Sequence, residues 1–166
     1  MRHRRNPFLW RIMDEGLEHP ARTAVAATVS LAVAGAFKLP EAYWAAVTTI
    51  VVMQSTLGAA LKISGQRFAG TALGAAAGAL IAMYFPPTAI VFGVGVFVMG
   101  LVCAVLNLDR AAYRFAGITL AIILLVGRDR SAWVSAIHRF IEVSIGIAVG
   151  LVITALWPER DTARSA

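Results

Sequence analysis

Charged residues are absent from long stretches of this chain, and these stretches divide it into apolar segments. The longest, residues 68–108, contains no Asp, Glu, Lys or Arg. A helix that crosses a membrane needs roughly 20 apolar residues, so this run accommodates two helices, and Pro86 and Pro87 supply the break between them. Further uncharged stretches lie between Arg22 and Lys38, Glu41 and Lys62, Arg114 and Arg128, and Glu142 and Glu159.

The pattern predicts an all-α, polytopic membrane protein with six transmembrane helices. Helices satisfy their own backbone hydrogen bonds in lipid, and the uncharged runs are longer than barrel strands. The predicted spans are 21–37, 43–57, 67–85, 88–106, 111–126 and 138–157, which together form one transmembrane domain over 21–157. A cytoplasmic segment, 1–20, has the mixed basic and apolar composition of an interfacial helix. A cytoplasmic tail, 158–166, follows the last span.

Composition supports a membrane protein and excludes two other classes. Hydrophobic residues make up 59% of the 166 residues, charged residues only 14%, and the mean hydropathy is +0.75. Soluble domains carry about 25% charged residues, and a chain this short buries too little surface to hide the excess apolar area. A soluble globule and a disordered chain are therefore both excluded.

The chemistry-bearing residues favour neither an enzyme nor a metal or cofactor site. Cys103 is the one cysteine, and His3, His19 and His138 are scattered without ligand spacing. The sequence contains no phosphate-binding loop, paired carboxylates or nucleophile motif. The net charge of +6 is compatible with nucleic-acid binding, but the basic residues flank apolar spans. This placement indicates a lipid bilayer rather than nucleic acid.

The basic residues also predict the orientation of the chain. Cytoplasmic flanks are enriched in Lys and Arg, and an N-terminus on the cytoplasmic side places most of the 15 basic residues there. That side holds Arg2, Arg4, Arg5, Arg11, Arg22, Lys62, Arg67, Arg110, Arg114, Arg160 and Arg164, whereas the outer side holds Lys38, Arg128, Arg130 and Arg139.

A weak internal repeat relates the two halves, 21–85 and 88–157. The sequence Arg67, Gly74, Gly78 recurs as Arg139, Gly146, Gly150 at an offset of about 72 residues. Three spans per half is an odd number, so the halves have opposite orientations, as in many transporters. A chance match in a Gly-rich membrane protein is the alternative. Tyr43 and Thr48 loosely correspond to Tyr113 and Thr119.

The glycines of the third and sixth spans form stripes on one helix face. Gly70, Gly74 and Gly78 form one stripe, and Gly146 and Gly150 form another. Small residues at this spacing let helices approach closely. Ordinary packing explains them, and a sliding contact that opens a pathway is the functional alternative.

Residues 42–78 carry an Ala-Tyr-Trp-Ala start, a glutamine near the end of that span, and an Arg-x-x-Gly-Thr-x-x-Gly motif. These residues are Ala42, Tyr43, Trp44, Ala45, Gln54, Arg67, Gly70, Thr71 and Gly74. On these motifs the stretch resembles the fusaric acid resistance-like (FUSC) and aromatic acid exporter superfamily, to which the plant malate channels look distantly related.

The resemblance implies an inner-membrane unit of six helices that exports aromatic or other carboxylates. Larger members carry two such units, which implies a homodimer here, and their soluble domain has no counterpart in this sequence. Ser55 stands where many members have proline, which predicts a softened kink.

Ionisable groups within membrane spans are the main candidates for function. Arg67 and Arg139 are each predicted at the start of a span, near opposite membrane faces, and Glu142 lies three residues after Arg139, on the same helix face. Arg67 has Gly70 at the matching position and therefore carries an unmatched positive charge. Arginine binds carboxylates through its planar fork, whereas snorkelling into the headgroups is the alternative role. Gln54, Thr48, Thr71 and Thr119 bond either a substrate or neighbouring helices.

These residues predict export or passive permeation of small organic anions. No ATP-binding motif exists, so the energy comes from the proton gradient or the substrate gradient, with Glu142 as the candidate proton relay. The alternative is a non-transporting membrane scaffold or accessory subunit.

The orientation leads to a direct prediction. Reporter fusions after Ala166 should report a cytoplasmic location, and fusions within 128–135 should report an outer location. An outer C-terminus would contradict both the orientation and the inverted repeat.

Overall fold

A computed structural model describes residues 7–126 and 131–158, with side chains from residue 17 onward. The described residues form six α-helices and contain no strand. The helices are α1 (Pro7–Ala36), α2 (Tyr43–Val52), α3 (Leu57–Tyr84), α4 (Ala89–Val105), α5 (Arg110–Ala121) and α6 (Ala132–Leu156). A π-helical segment, Ile122–Val126, continues α5. The predicted all-α class is confirmed.

Helices α2, α3 and α6 differ from the predicted spans, and a side-chain cap explains the early start of α3. The Thr56 hydroxyl accepts a hydrogen bond from the Ala59 N–H at 3.3 Å, so α3 begins at Leu57, well before the predicted start at Arg67. Helix α2 ends at Val52, and residues 53–56 are non-helical. The softened kink predicted from Ser55 is therefore wrong, because the helix is interrupted completely before α3 begins. Helix α6 begins at Ala132 instead of His138.

Helix α1 also extends beyond its predicted span, since it begins at Pro7 and runs without interruption to Ala36. The residues predicted as an interfacial segment and as the first span thus belong largely to one helix. Residues 1–6, the outer-loop arginines Arg128 and Arg130, and 159–166 of the predicted tail lie outside the described residues.

The centre of the bundle consists of α3 and α6, which pack against each other. Helix α3 also packs along α5, and α6 packs along α2. Helix α1 covers α2 and α6, whereas α4 lies at the edge and contacts mainly α5. This arrangement places α2 beside both central helices.

Glycines bring the helix backbones of these pairs into direct contact. A Cβ atom added at Gly74 would lie 2.3 Å from the Ala116 carbonyl oxygen of α5. One added at Gly146 would lie 2.4 Å from the Ala45 carbonyl oxygen of α2. Gly70 is equally close to the Ala112 carbonyl oxygen. Small residues at these positions allow such close approach, because any side chain would collide with the neighbouring backbone.

The distribution of side chains is the reverse of that in a soluble protein. Arg22 and Glu142 are among the largest fully buried side chains, and alanines fill much of the core. Large apolar side chains face outward, including Ile90 and Val105 of α4, which are 78% and 86% exposed. Among the described helices, α3 and α6 are both long and apolar enough to cross a membrane; α2 and α4 are apolar but shorter.

Gly74→Ala should destabilise the protein, because the added methyl group has no room against the α5 backbone. Overpacking of this kind costs about 1–3 kcal/mol. Gly117→Ala, which adds the same methyl group where no atom lies within 4 Å, should be neutral or stabilising, since alanine favours helix by about 1 kcal/mol. Thermal unfolding in detergent measures the stability of both variants. Equal midpoints for Gly74→Ala and Gly117→Ala would contradict the close contact at Gly74.

Candidate functional site

Helix α2 is the element on which the candidate site residues converge. It is only 10 residues long, and its threonines at 48 and 49 are fully buried. The Thr49 hydroxyl lies 2.9 Å from the Ala45 carbonyl oxygen of its own helix and 3.0 Å from the Gly146 carbonyl oxygen of α6, so these two acceptors share its one proton. Gly146 thus lets α6 approach α2 closely and brings its own carbonyl oxygen within hydrogen-bond distance of Thr49.

Arg139 lies between two carboxylates. Its Nη2 is 2.6 Å from Oε2 of Glu41, the residue two positions before α2, and its Nη1 is 3.6 Å from Oε2 of Glu142. The Glu41 N–H in turn donates to Oε1 of Glu142 at 3.1 Å. The guanidinium also lies over the Trp44 ring, 4.2 Å from its centroid. Arg139 and Glu142 are buried, whereas the Glu41 side chain is 40% exposed.

Arg67 is equally buried but has a different environment. Its Nη2 donates to the Thr48 hydroxyl at 3.2 Å, and its guanidinium lies 4.7 Å from the centroid of the Phe115 ring. Among the residues that the structure describes, no carboxylate lies within ion-pair distance of Arg67. A buried cation without a contacting acid is costly, so this environment favours an anionic ligand.

The predicted location of the two arginines near opposite ends of the bundle is wrong. Arg67 contacts Thr48 and Arg139 contacts Trp44, which are one turn apart on α2. The two cations are close enough to repel each other. The reason is the earlier start of α3 and α6, which places both arginines inside their helices rather than at the first turn.

The other predicted site residues lie at different distances from Arg67 and Arg139. Thr71 is fully buried one turn beyond Arg67, and Thr119 is buried on α5. Gln54 lies two residues beyond the end of α2, where its side chain makes a long contact of 3.5 Å to the Val51 carbonyl oxygen. The structure therefore groups Arg67 with Thr48, and Arg139 with Glu142, whereas Gln54 is separate from both groups.

Three further residues belong to the polar interior although the sequence pattern does not indicate it. Glu41 ends an uncharged stretch, and its position just before the Tyr-Trp pair at 43–44 is the one signal for its role. Arg22 is predicted in a cytoplasmic flank, but it is fully buried and donates to the carbonyl oxygens of Trp157 and Gln54 at 2.7 and 2.6 Å. Ser64 is buried one turn before Arg67.

Arg139→Ala should destabilise the protein strongly, because the buried Glu142 carboxylate would lose the guanidinium beside it. Such a change costs on the order of several kcal/mol. The double variant Arg139→Ala with Glu142→Ala should recover much of this loss, since Glu41 is exposed enough to be solvated. Thermal unfolding of both variants tests the pairing; a double variant no more stable than the single one would contradict it.

Comparisons with known proteins agree with the resemblance seen in the sequence. The chain is 29% identical over 164 residues to inner membrane protein YeeA of Escherichia coli (strain K12), an alignment that covers 93% of this chain and 45% of the relative. The chain thus spans less than half the length of that relative. No solved structure matches significantly. The family model described as fusaric acid resistance protein-like matches residues 26–153, and the chain therefore belongs to this family.

Proposed function

We propose that this chain is a multi-pass inner-membrane transporter or channel for small organic anions, which exports aromatic or other carboxylates. The observation that carries the proposal is the buried Arg67, whose cation contacts a hydroxyl and an aromatic ring but, among the described residues, no acid. Family membership and the name of the inner-membrane relative support the membrane location.

Six transmembrane crossings are supported by the apolar outer surface and by the break after α2. Helix α2 has 10 residues and is about 15 Å long at 1.5 Å per residue, shorter than the roughly 30 Å of a bilayer core. The non-helical residues 53–56 would complete the membrane crossing that α2 begins. Irregular backbone at this depth is tolerated where protein buries it, and Arg22 bonds the Gln54 carbonyl oxygen there.

An inverted repeat of α1–α3 and α4–α6 is supported by matching contacts in the two halves. Gly74 approaches Ala116 as Gly146 approaches Ala45. Arg67 lies over the ring of Phe115 as Arg139 lies over that of Trp44. The members of each matching pair are 71 or 72 positions apart in the sequence, a regularity expected of duplicated units.

The ends of α1 and α4 match as well. Each helix is followed by a non-glycine residue with positive φ, Lys38 at 54° and Asn107 at 53°. In each case the next N–H bonds back to a carbonyl oxygen five residues earlier, from Leu39 to Ala34 at 3.2 Å and from Leu108 to Cys103 at 2.9 Å. This is the helix-terminating pattern of a left-handed cap.

We further propose a two-fold homodimer with both termini in the cytoplasm. The glycine contacts draw the helices of one unit together and leave little room for a wide pathway. Helix α4 presents an exposed apolar stripe, Ile90, Val94, Phe97 and Leu101, that a second copy or lipid can cover. Mass measurement in detergent and nanodiscs should give two copies; a strictly monomeric species that still transports would contradict the dimer.

A non-transporting scaffold is the second candidate. The tight glycine contacts and the ion pairs of Arg139 are also what a rigid accessory subunit requires. Flux across a membrane separates the two candidates.

In proteoliposomes the protein should transport benzoate down its gradient, and Arg67→Ala should reduce this flux about tenfold or more, since each lost charge-assisted hydrogen bond is worth about 1.5–3 kcal/mol. Folding should change less than flux, because no acid is left unpaired. Arg114→Gln, which removes an exposed charge from α5, is the control. Wild-type flux in Arg67→Ala would indicate that Arg67 serves only as a membrane anchor. Absence of flux in the native protein would favour the non-transporting scaffold.

A further inference from the structure

Arg22 of α1 connects the ends of two other helices. Its Nη1 donates to the carbonyl oxygen of Trp157, the residue that follows α6, at 2.7 Å, and its Nη2 donates to the carbonyl oxygen of Gln54, two residues beyond α2, at 2.6 Å. The arginine is fully buried. One guanidinium thus holds α1, the end of α6 and the non-helical residues 53–56 together at one end of the bundle.

The ends of α2 and α6 receive this cation from a third helix. The last carbonyl groups of a helix have no partner within it, and they carry the negative end of the helix dipole. Neither α2 nor α6 has a basic residue in its last turn. Because Arg22 lies on α1, its two hydrogen bonds exist only while the three elements are in contact.

The segment that Arg22 holds is one at which the bundle can bend. Residues 53–56 are non-helical and separate α2 from α3, and hinges are typically such short connections, which absorb changes in backbone dihedral angles. The neighbouring side-chain contact between this segment and α6 is weak, because the Thr154 hydroxyl lies 3.6 Å from Sδ of Met53, a weak acceptor. Breaking the bonds of Arg22 would therefore release the hinge and the end of α6 together.

The opposite end of the bundle differs at the matching positions. In the proposed inverted repeat, Trp157 after α6 corresponds to Phe85 after α3, and each N–H bonds the carbonyl oxygen four residues before it. The positive-φ residues after α1 and α4 are 69 positions apart, which aligns Arg22 with Val91. Helix α4 contains no charged residue, so the matching helix offers no cation to the end of α3.

We propose that Arg22 is a latch that keeps its end of the bundle closed, and that this end opens when the bonds to the Trp157 and Gln54 carbonyl oxygens break. The latch goes beyond the proposed function, because a transporter and a scaffold can both carry one. In a transporter it is the gate on the side where α2 and α6 end, which the predicted orientation places in the cytoplasm.

A single thiol behind the latch tests it. Thr154 is 2% exposed and Cys103 is the only cysteine, so Cys103→Ser with Thr154→Cys carries one reporter thiol beside the hinge. In nanodiscs, neutral iodoacetamide reaches a buried thiol through openings of the structure, and the labelling rate follows the open population. Arg22→Gln should raise this rate about tenfold or more, since a hydrogen bond to a charged group is worth at least that factor.

A second buried thiol separates a latch from a general loss of stability. The native Cys103 is 2% exposed and belongs to a buried cluster with Ala116 and Leu120 of α5. In chains that retain Cys103 and Thr154, Arg22→Gln should leave the labelling rate of Cys103 unchanged, because opening at one end of the bundle does not expose this cluster.

Two further substitutions act as controls in the reporter chain. Arg22→Lys keeps the charge but lacks the planar fork that reaches two carbonyl oxygens, so its reporter should label at an intermediate rate; this variant gives the same comparison if Arg22→Gln does not fold. Lys62→Gln removes an exposed cation of α3 just beyond the hinge and should label as the native Arg22 and Lys62 do.

The outcomes are distinct from those of the flux measurement, since labelling requires no transport. An unchanged reporter rate on loss of Arg22, or an equal rise at the reporter and at Cys103, would overturn the latch. If the reporter alone becomes reactive but no anion crosses the membrane, transport is refuted and the latch stands. If anions cross while the reporter rate does not depend on Arg22, the latch is refuted and transport stands.

Discussion

At Gly74 and Gly146 the helices are so close that a methyl group in place of the hydrogen would lie 2.3 and 2.4 Å from a neighbouring backbone oxygen. These contacts hold α3 against α5 and α6 against α2. In a membrane there is little hydrophobic force between helices, so association depends on van der Waals packing and interhelical hydrogen bonds. The polar contact between Thr49 and Gly146 is available only because the glycine lets the backbones meet.

The same contacts fix the electrostatics of the interior. With α6 held against α2, Arg139 reaches Glu41 and Trp44 at the start of α2. With α3 held against α5, Arg67 meets the ring of Phe115 but reaches only a hydroxyl on α2. The two arginines thus occupy similar positions over aromatic rings but differ in charge compensation. That difference makes Arg139 part of an internal ion-pair cluster, whereas Arg67 contacts no carboxylate of the described residues.

Much of the fold could be predicted because uncharged runs and glycine stripes are local patterns. Such patterns predict the ends of α4 and α5 and the packing of the glycines. They also predict the pairing of Arg139 with Glu142, because the two residues share one helix face. The depth of Arg67 could not be predicted, because α3 starts at a cap on Thr56, eleven residues before Arg67 and outside the uncharged run 68–108. The paired residues Arg139 and Glu41 are 98 positions apart in the sequence, and no spacing rule relates them.

The central claim is that the uncompensated charge of Arg67 makes this part of the interior attractive to anions. Cys103 is the only cysteine, so a Cys103→Ser, Ser64→Cys variant carries one thiol, a turn away from Arg67. Its reaction rates with an anionic and a cationic methanethiosulfonate of similar size can be compared in membrane vesicles. The account predicts faster reaction with the anionic reagent, and loss of this preference when Arg67→Gln is added. Equal or faster reaction with the cationic reagent while Arg67 is present would contradict it.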